Sequence, residues 1–318
     1  MGAPEVKAVG FVGLGRMGRG LAARLGERAP SIAVHGFDPD ERARAEAARS
    51  GVAVSDTVEA LVAALPRPRV VWLMVPAGEA TSAALASVAA ATDRGDVIVD
   101  GGNSDWRDSV RRGRELEARG IDFVDVGVSG GIWGRSEGFC LMAGGSSTAF
   151  ARLEPVLSAL APDPHPEFGE GYAHVGPVGA GHFVKMVHNG VEYGLMQAYA
   201  EGFALLRSAP FGLDLARLAR LWMQGSVVRS WLLELAGRAL ASGQVEELEP
   251  WVEDSGEGRW TLEQAIASGV PVPTIAAALF ARFASRGGDD FQARLLAALR
   301  NQFGGHAVRR GDGGAEGG

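Results

Sequence analysis

Val6-Lys7-Ala8-Val9-Gly10-Phe11-Val12 runs straight into Gly13-Leu14-Gly15-Arg16-Met17-Gly18, and this junction decides the fold. The first seven residues read as a short apolar strand, and helical spacing takes over from about Met17 to Arg28. A Gly-x-Gly-x-x-Gly turn alone says little in a chain with 46 glycines. Between a strand and a helix it says more. Glycine permits the tight turn and a close backbone approach to a pyrophosphate, while the helix N-terminus supplies amide donors and a favourable dipole. The next strand, Ser31 to Asp38, ends in an acid placed to accept from ribose hydroxyls. Asp38 would also repel a 2′-phosphate, which points to NAD with NADP less preferred. Arg42 and Arg44, just beyond, are within reach of a phosphate but read better as solvated helix residues.

The alternation continues outward. Glu41 to Ser50 is an Arg/Ala/Glu helix, and Val70 to Val75 is an almost wholly apolar strand stopped by Pro76 and followed by an Ala-rich helix. Asp96 to Asp100 and Phe123 to Val128 are further strands, each ending in a glycine-containing turn. This predicts an α/β fold, a Rossmann-type doubly wound parallel sheet. Near Gly176 the texture changes. Gly181 to about Arg207 reads as one long helix, and helical spacing recurs over Ala216–Met223, Ser230–Ser242, Thr274–Ser285 and Phe291–Gln302. The expected organisation is a dinucleotide-binding domain over 1–178, an all-helical substrate and dimerisation domain over 179–310, and a disordered Gly-rich tail over 311–318.

Among 318 residues, 31 basic side chains face 38 acidic ones, for a net charge of −7 with no Lys/Arg run. Nucleic acid and anionic membrane are poor partners for such a chain. No apolar stretch approaches the ~20 residues of a membrane span, and Met1 to Lys7 lacks a signal-peptide pattern, so a cytoplasmic protein is expected. The single cysteine, Cys140, excludes an intrachain disulfide and any CxxC motif. Of the 31 basic residues only Lys7 and Lys185 are lysines. Arginine does not deprotonate in proteins and lysine can, so a retained lysine raises the question of a base. Lys7 reads as a solvated edge residue.

Lys185 stands in Gly181-His182-Phe183-Val184-Lys185-Met186-Val187-His188-Asn189-Gly190-Val191-Glu192-Tyr193. Lys185, His188, Asn189, Glu192 and Tyr193 lie at i, i+3, i+4, i+7 and i+8, one face of a helix. A merely solvated face fits poorly with His, Asn and Tyr. Gly190 costs about 1 kcal/mol in a helix interior, which makes sense if something must approach the backbone there. A metal held by His188 and Glu192 is disfavoured by Lys185 on the same face, so no metal is expected. A lysine and a glutamate on one face suit a two-step proton transfer, the neutral amine taking a hydroxyl proton and the carboxylic acid later protonating carbon.

This run closely resembles the signature of the decarboxylating 6-phosphogluconate dehydrogenase family. Gly101-Gly102-Asn103-Ser104, Val128-Ser129-Gly130-Gly131, Gly258-Arg259-Trp260-Thr261, Phe280-Ala281-Arg282 and Arg300-Asn301-Gln302-Phe303-Gly304-Gly305-His306 agree in order. The resemblance implies NAD(P)-dependent oxidation of 6-phosphogluconate at C3, loss of CO₂, and protonation of the enediol to ribulose 5-phosphate. It makes Lys185 the base and Glu192 the acid. It assigns Gly13, Gly15, Arg16, Met17, Gly18, Asp38, Val75, Pro76 and Asn103 to the cofactor. It assigns Asn103, Ser129, Gly130, Gly131, His188, Asn189, Tyr193, Arg259, Thr261, Arg282, Arg300 and His306 to the substrate, whose phosphate and carboxylate call for a cationic pocket.

Two departures stand out. Long family members carry a bigger helical domain and an Asn-Arg-Thr cluster after the second strand; this chain has Phe37-Asp38-Pro39 and one short helical domain, like the short, NAD-preferring branch of the β-hydroxyacid dehydrogenase superfamily. Arg259 stands where many members have Lys. The competing readings are a non-decarboxylating β-hydroxyacid dehydrogenase and a non-catalytic NAD-binding regulator. The short helical domain would leave Phe183, Val187, Val191 and Leu195 exposed in a monomer, which predicts a homodimer or homotetramer. The resemblance further implies an active site shared between subunits, with Arg300 and His306 acting in trans.

Overall fold

Three short runs, apolar but for Asp100 at the end of the third, fix the centre of the sheet. In the computed structural model, which describes residues 5–248, 251–252, 255–285 and 291–304, β1 (Ala8–Val12), β4 (Val70–Leu73) and β5 (Val97–Asp100) are buried at every residue. Such strands need cover on both faces. Around them lie β2 (Ala33–Phe37), β3 (Ala53–Val54), β6 (Asp122–Ser129), β7 (Cys140–Gly144) and β8 (Tyr172–Gly176), in the order β3-β2-β1-β4-β5-β6-β7-β8. The cover comes from α1 (Arg16–Arg28), α2 (Glu41–Arg49), α3 (Val58–Ala64), α4 (Glu79–Ala91), α5 (Trp106–Glu117), the short α6 (Gly134–Glu137) and α7 (Ser147–Leu160). Alternation along β4 divides the core: Trp72 joins Phe11, Leu21, Leu25 and Leu153 on one face, while Val71 and Leu73 join Leu61, Leu85 and Ile98 on the other.

All the pairings are parallel except β6 with β7. The ten residues between those two strands are too few for a helical crossover, so the chain must turn back on itself. The doubly wound parallel sheet read from the sequence is present, with this one antiparallel pair within it. Strand β1 lies between β2 and β4, where the strand order reverses, and ligands of such sheets bind outside the carboxyl ends at that point.

The chain divides into two units between Met186 and Val187, inside the 29-residue helix α8 (Ala180–Ser208). The second unit continues through α9 (Leu215–Trp222), α10 (Trp231–Ala241), α11 (Glu257–Ser268), α12 (Pro273–Ala284) and α13 (Phe291–Gly304). Asp214 and Ser230 cap α9 and α10 through the amides of Arg217 and Leu233. The predicted tail over 311–318 lies outside the described residues. Among those that are described, no helix is long and apolar enough to cross a membrane.

Candidate active site

The glycines of the first turn do two different jobs. Gly13 sits at φ 95°, and a Cβ there or on Gly18 would collide with backbone, so both close the turn. A Cβ on Gly15 would meet nothing within 4 Å. Gly15 is also the N-cap of α1 and has no side-chain cap, so the space in front of the helix amides is open to an anion. Asp38 holds the turn from the next strand: Leu14 N donates to its Oδ2 at 2.7 Å and Asp40 N to its Oδ1 at 2.8 Å. Arg16 is exposed at the mouth and Met17 half-buried. Val75 borders the turn, its Cγ1 3.0 Å from a Cβ built on Gly13, and Pro76 follows it exposed, its carbonyl accepting from Thr81 Oγ1. This cradle fits a dinucleotide pyrophosphate. Arg44, expected to be solvated, instead donates to the carbonyl of Asp38 at 2.8 Å.

The loop after β5 is anchored from beneath. Asp100 accepts from Gly102 N at 3.1 Å and Ser104 Oγ at 2.8 Å, and it pairs with Arg112 of α5 at 3.4 Å, both side chains almost wholly buried. Asn103 is left exposed at the crest of this loop. Neither Asp100 nor Arg112 was singled out from the sequence. An acid closing an apolar strand just before Gly-Gly was the available signal.

Lys185 is buried, 7 % exposed. Its helix reaches the sheet over glycine: a Cβ on Gly127 of β6 would overlap the Lys185 stem, and one on Gly144 would lie 2.6 Å from Gly181 N. Two residues beyond Gly127, the same strand ends in Ser129, followed by Gly130 at φ 131° and Gly131 at φ 55°. Both conformations are left-handed and favour glycine. Phe183, expected on an exposed stripe, is half-buried edge-on against Trp106 with centroids 5.6 Å apart.

In the helical unit, Gly190 is explained by Thr261 of α11, whose Cγ2 would lie 2.7 Å from a Cβ there. Thr261 itself donates to the Glu257 carbonyl at 2.8 Å. His188 Nδ1 lies 3.1 Å from Asn189 Oδ1 and 3.7 Å from Glu192 Oε2. Tyr193 is clasped between Gly258 of α11, where a Cβ would lie 2.6 Å from its ring, and Arg282 of α12, whose Cζ is 3.3 Å from the ring centroid. Burial pushes the Arg282 guanidinium down to about 10, opposed by Tyr193, Glu192 and Glu257 and aided by Arg300. Burial also raises the Tyr193 phenol against the pull of Arg282, with Glu257 adding to the rise. Arg300 of α13 is buried and reaches Ser255 Oγ of its own chain at 3.4 Å. Arg259 is exposed and stacks on Phe283, 4.8 Å from Cζ to centroid. His306 lies outside the described residues.

Comparison with known proteins places this geometry. Residues 8–173 match the profile described as the NAD binding domain of 6-phosphogluconate dehydrogenase, and residues 181–294 match its C-terminal domain. The chain belongs to the 6-phosphogluconate dehydrogenase family. An NAD(+)-dependent, decarboxylating 6-phosphogluconate dehydrogenase of Haloferax volcanii is 44% identical over 96% of this chain and 99% of its own. A decarboxylating 6-phosphogluconate dehydrogenase of Synechocystis is 38% identical over 88% of this chain but only 61% of its own. Among solved structures, the 6-phosphogluconate dehydrogenase of Plasmodium falciparum superposes with a TM-score of 0.80 at 27% identity, covering 92% of this chain and 70% of that one. The chain is therefore similar to 6-phosphogluconate dehydrogenases over almost its whole length, while spanning about two thirds of the longer ones.

Proposed function

We propose that the protein catalyses the NAD-dependent oxidative decarboxylation of 6-phosphogluconate to ribulose 5-phosphate and CO₂. The observation that carries the reading is Lys185: one of only two lysines among 31 basic residues, buried, and seated on Gly127 of the strand that runs into Ser129. As the base of this reading, Lys185 Nζ takes the proton from the C3 hydroxyl. The bound nicotinamide supplies the hydride acceptor. Glu192, two turns further along α8, gives a proton to C1 of the enediol after CO₂ has left. As the family resemblance implies, the residues assigned to the substrate are Asn103, Ser129, Gly130, Gly131, His188, Asn189, Tyr193, Arg259, Thr261, Arg282, Arg300 and His306. Asp38 selects NAD, because its carboxylate is fixed by two amides at the end of β2 and repels a 2′-phosphate.

Val187, Val191, Leu195 and Leu205 of α8 are exposed, an apolar stripe of the kind that marks an interface. A twofold dimer covers it. The test of the activity is a spectrophotometric assay of 6-phosphogluconate with NAD and NADP in parallel, with trapping of released CO₂. NADH production without CO₂ would turn the reading to a non-decarboxylating β-hydroxyacid dehydrogenase, and no turnover would leave a dinucleotide-binding regulator.

A further inference from the structure

The strand Phe123-Val124-Asp125-Val126 carries an acid in the middle of an apolar run. Asp125 is fully buried, and no step of the reaction uses it. Its two carboxylate oxygens accept at the start of α8, from Gly179 N just before the helix at 2.6 Å and from His182 N in its first turn at 2.8 Å. A helix start has unsatisfied amides that some acceptor must meet; here the acceptor comes from β6 rather than from the preceding residue. Burial raises the Asp125 carboxyl, against the pull of His182 and of the two amides it accepts. His182 is locked in turn by Ser109 of α5, whose Oγ lies 2.7 Å from Nδ1. Three glycines bring the backbones together: Gly181 on the helix, Gly127 on β6 and Gly144 on β7.

We propose that Asp125 is a positioning residue for Lys185. Resting on the reading of Lys185 as the base, it fixes the height and rotation of the helix turn that carries that lysine, with Gly127 as the second contact of the same seat. Lys185 is one turn beyond His182, and within one turn a helix is rigid. Strand β6 thus sets the base through Asp125 and Gly127, and two residues later it sets Ser129 of the substrate loop. The base and the substrate loop are referenced to one strand. A misplacement of about 1 Å between reacting groups is enough to lower a rate about 10²-fold.

The experiment uses the full-length protein in two variants. Asp125→Asn can accept from only one of the two amides and turns an NH₂ toward the other. Gly127→Ala leaves the carboxylate intact but pushes on the Lys185 stem. Each is expected to lower kcat at least about tenfold, while KM for NAD and the NADH dissociation constant stay within about twofold. The isotope effect on kcat with C3-deuterated 6-phosphogluconate should rise, since the misplaced base slows the hydride step, and the double variant should lose less than the product of the single losses. Leu153→Ala, a core truncation on α7, controls for stability and should lower Tm without changing kcat. A kcat within about twofold of wild type in either folded variant overturns the proposal. So does a loss that simply follows Tm, or failure of both variants to fold, each of which assigns Asp125 a purely structural role. The base reading fails separately, if Lys185→Met retains turnover.

Discussion

Lysine and arginine part company at position 185, where a proton must leave the side chain. Lys185→Arg keeps the charge and much of the stem, yet a guanidinium stays protonated. Turnover should fall about 10²–10⁴-fold with the melting temperature little changed, and a variant retaining more than about a tenth of wild-type kcat would refute the base assignment. Asp38 gives the opposite case, since one carboxylate serves both fold and specificity. Serine at 38 removes the charge that repels a 2′-phosphate, so the NAD-over-NADP ratio of kcat/KM should narrow. It also leaves one oxygen for two amides, the exposed Asp40 N and the part-buried Leu14 N, and loss of the part-buried partner costs about 1–3 kcal/mol. A melt and paired assays would read both effects, and wild type already preferring NADP would end the specificity argument.

Helices announce themselves over many residues, and contacts between elements do not. The long helix read as Gly181 to Arg207 is Ala180–Ser208 in the structure, and the one read as Phe291 to Gln302 is Phe291–Gly304, because a 3.6-residue apolar period survives over several turns. Strand β8, Tyr-Ala-His-Val-Gly, is half-exposed at the sheet edge and carries no such period, so nothing in 172–176 marks it. The candidate site divides in the same way. The glycine turn and the α8 face are local patterns, whereas the Asp125 bonds to α8 span 54 and 57 residues, and no spacing rule reveals such a pair. Gly190 lies between the two cases: its oddity in a helix was legible and the identity of its neighbour was not. Gly190→Ala should gain helix propensity of about 1 kcal/mol but overpack Thr261 by about 1–3 kcal/mol. Urea unfolding is therefore expected to show a net loss. Adding Thr261→Ser, which deletes the Cγ2 that a Cβ at 190 would strike, should return most of it. Equal stability of Gly190→Ala and wild type would mean that the α8–α11 approach is looser than its distances imply.

At the scale of the whole molecule the open matter is how many chains make one active site. The exposed stripe of α8 predicts a dimer, which Val191→Asp with Leu195→Asp should dissociate in sedimentation. Whether a monomer could work depends on the last helix. The family resemblance implies that Arg300 reaches the partner's site; the structure gives Arg300 a buried seat beside Ser255 of its own chain, electrostatically coupled to Tyr193 and Arg282. Complementation separates these alternatives. A Lys185→Met subunit and an Arg300→Ala subunit are each expected to be inactive as homodimers. If Arg300 acts within its own chain, both sites of the mixed dimer carry one lesion, and the mixture stays inactive. If it acts across the interface, one site carries both lesions and the other none, so random exchange should restore about a quarter of wild-type activity, half the sites in half the dimers. The own-chain seat of Arg300 predicts the first result, with exchange verified by a mass-tagged subunit. Recovery toward a quarter would instead show that α13 leaves this seat on dimerisation and completes the partner's site.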